Sequence, residues 1–194
     1  MNNREPVRLV MIDDIKSVVE GLTAIEWSTY GVEVAGVSAN GLDGFALVND
    51  TKPDIVITDI RMPRMDGLTM LKEILALKHA CKVILISGYS DFEYAKQAVQ
   101  LGAFDFVVKP FTEEDIVGAV VKAREQILEE RAKLTGIKEM ERRLRESMPL
   151  LRQEYFTLLV NHRTRWEQAA NKWAFLNVEL EPQGLAVMLL SIDG

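Results

Sequence analysis

Five short apolar runs, each separated from the next by a helix-length segment, constrain this 194-residue chain more than any other feature. Residues 9–12 (LVMI), 32–37 (VEVAGV), 55–58 (IVIT), 83–86 (VILI) and 104–108 (FDFVV) are rich in β-branched residues and mostly lack polar alternation. Such runs suit strands covered on both faces. Between them Val18, Leu22 and Ile25, then Phe45 and Val48, then Leu68, Leu71 and Leu75, then Phe92, Ala95 and Val99 recur at helical spacing. Parallel neighbours need crossovers and helical crossovers cover both faces, so this alternation predicts an α/β fold, a doubly wound five-stranded parallel sheet.

Composition narrows the rest. An apolar content of 48% is enough to bury a core and excludes a disordered polyelectrolyte. With 23 Lys plus Arg against 29 Asp plus Glu the formal charge is −6, which repels the chain as a whole from a phosphate backbone. One cysteine, Cys81, permits no internal disulfide, and with only His79 and His162 there is no Cys/His zinc constellation. A reducing, cytoplasmic setting is expected. The apolar run Leu185 to Leu190 is far shorter than the ~18 residues that span a bilayer, and the start MNNREPVR lacks a signal peptide's apolar segment.

The character of the chain changes after Ala123. From Glu125 to Arg152 there are seven basic and six acidic residues, so most of that segment must face water as a charged helix. Its apolar residues follow a seven-residue repeat: Val120, Ile127, Leu134 and Met148 at one position, Ala123, Ile137, Leu144 and Leu151 at the other. Glu130 and Glu141 interrupt the seam, and Thr135-Gly136 is expected to weaken the helix. Either a second copy pairs along this seam as a coiled coil, or the helix lies on its own domain; charge alone does not decide. Residues 153–176 again look helical, and Leu185 to Ile192 reads as a strand, so 153–194 is expected to open a second module whose remainder lies beyond Gly194.

In doubly wound sheets ligands bind outside the carboxyl ends of the strands. After the first strand come Asp13 and Asp14, after the third Asp59, after the fourth Ser87, and after the fifth Lys109-Pro110. The flavodoxin-like order 2-1-3-4-5 makes these strands neighbours and brings the five side chains to one patch. Three close carboxylates repel one another, and Lys109 supplies only one positive charge. A hard divalent cation with oxygen ligands fills the deficit, and Mg²⁺ fits because water can complete its octahedron. Metal, ammonium and hydroxyl around one carboxylate suit phosphoryl transfer: Asp59, after the central strand, is the nucleophile, Lys109 and Ser87 hold the product oxygens, and Asp13 and Asp14 are placed to hold metal.

At these residues the sequence resembles a bacterial two-component response regulator receiver domain. The resemblance rests on the acidic pair in MIDD, on IVITDIRMPRMDG, on VILISGYSD and on AFDFVVKPF with its Lys-Pro, in order across residues 1–124. It implies that Asp13, Asp14, Asp59 and the Arg61 backbone carbonyl bind Mg²⁺, that a sensor histidine kinase phosphorylates Asp59, and that Lys109 and Ser87 sense the phosphate. The Lys109-Pro110 bond is usually cis in this family. When phosphate draws the Ser87 hydroxyl inward, space opens into which Phe106 can rotate. Relatives often carry Tyr there, and Phe106 lacks the hydroxyl that would report the rotamer. Ile15 is a second departure, standing where many relatives have a third acidic residue. The segment SGYSDFEYAKQAVQLGAFDF is most similar to receivers joined to an AraC-type DNA-binding output. No helix-turn-helix is evident in the 194 residues, so DNA would be reached only through an output domain absent from this chain.

Other readings fare worse. A haloacid-dehalogenase-type enzyme needs a second Asp where Arg61 stands, and a dinucleotide site needs a Gly-rich turn that IDDIKSVVEG lacks. Met62, Met65 and Met70, like Trp27, are expected to pack, with Trp166 and Trp173 as packing or partner-facing residues. The expectation is therefore a phosphoacceptor signalling domain at 1–124, a signalling helix at 125–152 and the start of a second module at 153–194. The alternative is a phosphorylation-independent scaffold that homodimerises through 116–151.

Overall fold

The computed structural model describes residues 6–77, 79–88 and 92–161. The strands are β1 (Val7–Ile12), β2 (Val32–Ser38), β3 (Ile55–Asp59), β4 (Lys82–Gly88) and β5 (Asp105–Lys109). The helices are α1 (Lys16–Ala24), α2 (Gly41–Thr51), α3 (Gly67–Ala76), α4 (Phe92–Leu101) and α5 (Glu113–Asn161). All strand pairs are parallel, in the expected order β2-β1-β3-β4-β5.

Continuous apolar runs produce two cores because successive side chains of a strand point to opposite faces. Leu9, Met11, Ile57, Ile84 and Ile86 pack on one face with Leu22, Trp27, Val120 and Ala123. Val10, Ile12, Val56 and Leu85 pack on the other with Val48, Leu71, Ile74 and Ala98. Every residue of β3 is buried, whereas the edge strands β2 and β5 are only partly covered. The expected packing roles of Trp27, Met62 and Met70 hold, all three being buried.

Boundaries moved where polar groups decided them. β1 begins at Val7, earlier than its apolar run, because the exposed Arg8 is held in the strand by its backbone N–H to an Asp54 carboxylate oxygen at 2.9 Å. β5 runs from Asp105 to Lys109, and Phe104 lies outside it while packing on the core. Helix starts follow their caps: Asn40 accepts from the Asp43 N–H at 3.0 Å and Asp66 from the Thr69 N–H at 2.7 Å. Thr112 and Asp115 form a reciprocal capping box at α5, through bonds of 3.3 and 2.8 Å.

The expected weak point at Thr135-Gly136 does not interrupt α5, which is continuous. A single mid-helix glycine costs only ~1 kcal/mol. Downstream, Arg142 bonds Glu139 and Glu146 at 2.8 Å and supports the flanking turns. The chain divides into two compact units, Met1–Arg131 and Ala132–Gly194. In the first, Ile116, Val120, Ala123 and Ile127 of α5 are buried, Lys82 pairs with Glu130 at 2.8 Å, and Arg131 pairs with Asp54 at 2.6 Å. In the second, Leu134, Ile137, Met140, Leu144 and Leu151 are exposed. The seven-residue seam is thus buried up to Ile127, while Leu134, Ile137, Leu144 and Leu151 are exposed and Met148 is half-buried. Trp166, Trp173, His162 and the expected strand near 185–192 lie outside the described residues. Among the described residues, no helix is long and apolar enough to cross a membrane.

Candidate functional site

Strand register assembles the site. Asp59 ends the central strand β3 opposite Ile86, while Ser87 and Gly88 of β4 lie opposite Val108 and Lys109 of β5. On the other side of β3, Ile12 pairs with Thr58, so Asp13 follows at the same rim. Three polar side chains there are almost fully covered: Asp13 and Ser87 are 1% exposed and Asp59 is 5% exposed.

Lys109 ties the two carboxylates together. Its Nζ donates to Asp13 Oδ2 at 2.8 Å and to Asp59 Oδ1 at 2.6 Å. The remaining oxygens are also used: Asp13 Oδ1 accepts from the Ile15 N–H at 2.8 Å, and Asp59 Oδ2 accepts from the Arg61 N–H at 2.7 Å. One ammonium against two buried carboxylates leaves a net negative charge. Burial pushes the Asp59 carboxyl above its ordinary value of 3.8; the Lys109 bond opposes this, and the Asp13 charge adds to it. Burial by itself would lower the Lys109 ammonium, but its bonds to Asp13 and Asp59 outweigh that and hold it above 10.5. Lys109 is therefore charged throughout the physiological range, and Asp59 retains unusual proton affinity.

The loop after β3 is held by its backbone. The Ile60 N–H donates to the Ile86 carbonyl at 3.0 Å, and the Gly67 N–H to the Ile60 carbonyl at 2.8 Å. A Cβ on Gly67 would collide with the Asp59 carbonyl oxygen, which explains glycine at the start of α3. Lys109-Pro110 is cis, as expected. Phe106 is half-buried, opposite Leu85 in the β4–β5 register and packed against the second core. Ile15 is exposed and occupies the N-cap position of α1 without a side-chain cap.

Of the residues expected to hold metal, Asp13 and Asp59 meet through Lys109, whereas Asp14 is exposed. Among the described residues, no group of three or more His, Cys, Asp or Glu side chains is drawn together as a metal cage. The donor chemistry nevertheless fits a hard divalent cation, because two buried carboxylates carry more negative charge than Lys109 neutralises.

One feature of the site escaped sequence reasoning. Arg61, assigned only a backbone role, places its guanidinium carbon 5.6 Å from the centroid of the Tyr94 ring on α4. The two residues are far apart in sequence, and only the β3–β4–α4 packing makes them neighbours. A cation two residues beyond the acceptor was the one signal available. Other candidates lie apart from this chemistry: His79 Nε2 is 2.6 Å from the Pro53 carbonyl, and burial pushes the Cys81 thiol up to about 12.

Comparison with known proteins agrees with this geometry. Residues 9–121 match the model of the response regulator receiver domain. The chain is 33% identical over 114 residues to the transcriptional regulatory protein YesN of Bacillus subtilis, covering 58% of this chain and 31% of that protein, so it spans about a third of that relative's length. A two-component transcriptional regulator AraC from Clostridium phytofermentans superposes with a TM-score of 0.60 at 34% identity, over 65% of this chain and 98% of that one. CheY of Borrelia burgdorferi, solved in a complex with CheX, BeF3 and magnesium, gives 0.56 at 29% identity, over 60% of this chain and 88% of that one. With its sheet order, its rim of buried polar groups and its family match in accord, the chain belongs to the response regulator receiver domains of two-component signalling.

Proposed function

We propose that the chain accepts a phosphoryl group on Asp59 from a phosphohistidine of a sensor histidine kinase, and that this changes the activity of an output that regulates transcription. The observation that carries the reading is the Asp59 carboxylate at the end of the central strand, bonded to a lysine that it shares with Asp13. In the transfer, an Asp59 oxygen attacks phosphorus, a P–O bond forms, and the P–N bond to the imidazole breaks. The imidazole leaves with the electron pair and takes up a proton. Asp13, Asp14, Asp59 and the Arg61 carbonyl would hold Mg²⁺, which when bound neutralises the transferring oxygens. Lys109 needs only to loosen from Asp13 to meet a phosphoryl oxygen, and the Ser87 hydroxyl donates to another. As Ser87 is drawn toward the phosphate, the half-buried Phe106 ring turns into the vacated space and repacks the face of α4, β5 and α5. The AraC-named structure and YesN, both transcriptional regulators by name, support an output acting on DNA for the whole protein.

Acetyl phosphate labelling tests the acceptor. Asp59→Asn is expected to abolish Mg²⁺-dependent labelling, and persistent labelling moves the acceptor elsewhere. The exposed Leu134, Ile137, Leu144 and Leu151 favour a second reading, a scaffold that homodimerises whatever its phosphorylation state. Solution mass and the spectra of α4 with and without beryllofluoride separate the two: a dimer whose mass and α4 spectra both stay unchanged supports the scaffold.

A further inference from the structure

We propose that Gly41 is a positioning residue for the acceptor site: the turn joining β2 to α2 is a brace that fixes the loop after Asp59 against the Asp13 strand end, and it does so only with no side chain at position 41. The inference rests on the reading in which Asp59 accepts phosphate and the Arg61 carbonyl holds Mg²⁺, and it adds the element that sets their spacing. Residues 38–43 reach both halves of the site. On one side the Asp13 N–H donates to the Ser38 carbonyl at 3.2 Å, and the Ser38 hydroxyl donates to the Asn40 carbonyl at 3.1 Å. On the other, Gly41 is buried against the Met65 main chain of the acceptor loop, and Arg64 Nη1 lies 3.6 Å from Asp43 Oδ1.

Backbone conformation does not explain glycine at this position. Gly41 opens α2 and lacks the positive φ of Gly31 and Gly102, and alanine is the better helix former. Space is what excludes a side chain. A Cβ on Gly41 would lie 1.9 Å from the Met65 carbonyl oxygen and 2.8 Å from its carbon. Ordinary contact begins near 3.4 Å, so one side must withdraw by about 1.5 Å. The loop has little room to absorb this internally. The Ile60 N–H is bound to the Ile86 carbonyl at 3.0 Å, the Gly67 N–H is bound to the Ile60 carbonyl at 2.8 Å, and Gly67 is itself pressed on the Asp59 carbonyl. Arg61 lies between these ties, with its N–H on Asp59 Oδ2 at 2.7 Å. A displacement of Met65 therefore passes to the Arg61 main chain and changes its spacing from Asp13.

The test is an NMR titration of the full chain, first in EDTA and then with graded Mg²⁺. Gly41→Ala is expected to shift the Arg61 amide resonance in the metal-free protein and to weaken Mg²⁺ binding by about tenfold or more. Gly36→Ala is the control, since it adds the same methyl group where the three nearest atoms all belong to the Leu47 side chain, which can rotate away. It is expected to bind Mg²⁺ as wild type does, even where its melting temperature falls as far. Ser38→Ala removes the hydroxyl bond of the turn without adding bulk, so it serves if Gly41→Ala does not fold; a loss of about twofold to fivefold in Mg²⁺ affinity is expected. Unchanged affinity in Gly41→Ala with shifts confined to α2, equal losses in Gly41→Ala and Gly36→Ala, or unchanged affinity in Ser38→Ala would overturn the brace while leaving Asp59 as acceptor. Mg²⁺ binding retained in full by Asp59→Asn would instead overturn the acceptor reading, and the metal-free Arg61 resonance would still decide the brace.

Discussion

Replacing Asp59 by Asn removes one of two buried carboxylates that share a single ammonium, and the thermal stability of the chain should report it. Asp13 Oδ2 and Asp59 Oδ1 lie 2.8 and 2.6 Å from the same Nζ. They therefore lie no farther apart than the two bonds laid end to end, and at an effective dielectric of about 20 two unit charges at about 5 Å or less repel by about 3 kcal/mol or more. Lys109 opposes the effect, but the raised Asp59 pKa shows that burial and the Asp13 charge together win. A carboxyl whose folded pKa lies above its unfolded one binds protons more tightly when folded. Its ionisation carries no cost below the ordinary value of 3.8, and that cost grows to a plateau as pH rises through the folded value. Asp59→Asn should therefore melt higher than wild type at neutral pH without metal, with the gap closing toward acid. Mg²⁺ at ten times its dissociation constant should stabilise wild type by about 1.4 kcal/mol, roughly 5 °C for a unit of this size, and shift Asp59→Asn much less. Scanning calorimetry with EDTA and with graded Mg²⁺ measures both effects. A metal-free variant that melts below wild type, or equal Mg²⁺ shifts in the two proteins, would refute the charge argument.

Lys109→Ala leaves Asp13 and Asp59 buried without their cation and should cost about 2 kcal/mol in metal-free buffer, a loss smaller than for a fully buried pair because Lys109 keeps some exposure. Urea titration with and without Mg²⁺ checks this, and the divalent ion should recover more stability in the variant than in wild type. Arg131→Ala breaks the pair with Asp54, which is 13% exposed, and should raise hydrogen exchange at residues 126–131 of α5 while sparing the sheet. Unaltered exchange there would mean that the Asp54 pair does not hold this stretch. The Cys81 thiol, pushed up to about 12 by burial, should resist alkylation at pH 8 in the native chain and react on denaturation. Rapid labelling of native protein would contradict that burial.

Much of the site was legible because its chemistry is local to strand ends. Asp13, Asp59, Ser87 and Lys109 each follow or end an apolar run; parallel pairing needed only the rule that helical crossovers cover both faces of a sheet, and the order came from the flavodoxin-like pattern. Asp14 could not be separated from Asp13 in the same way. Adjacent residues leave a strand in different directions, and only coordinates show that Asp13 is buried on Lys109 while Asp14 is exposed. The helix continuous through Thr135-Gly136 was likewise hidden, since a small local cost yields to pairs formed several residues away.

What the sequence by itself determined was the alternation of strands and helices and the residue types that stand at the strand ends, because periodicity and strand-end position are properties of the chain's linear order. The tertiary structure alone decided how charge is shared there: one Lys109 nitrogen between two carboxylates, and Arg61 resting on Tyr94. Electrostatic and ring contacts depend on distance and burial between residues remote in sequence, and those quantities exist only once the sheet has packed.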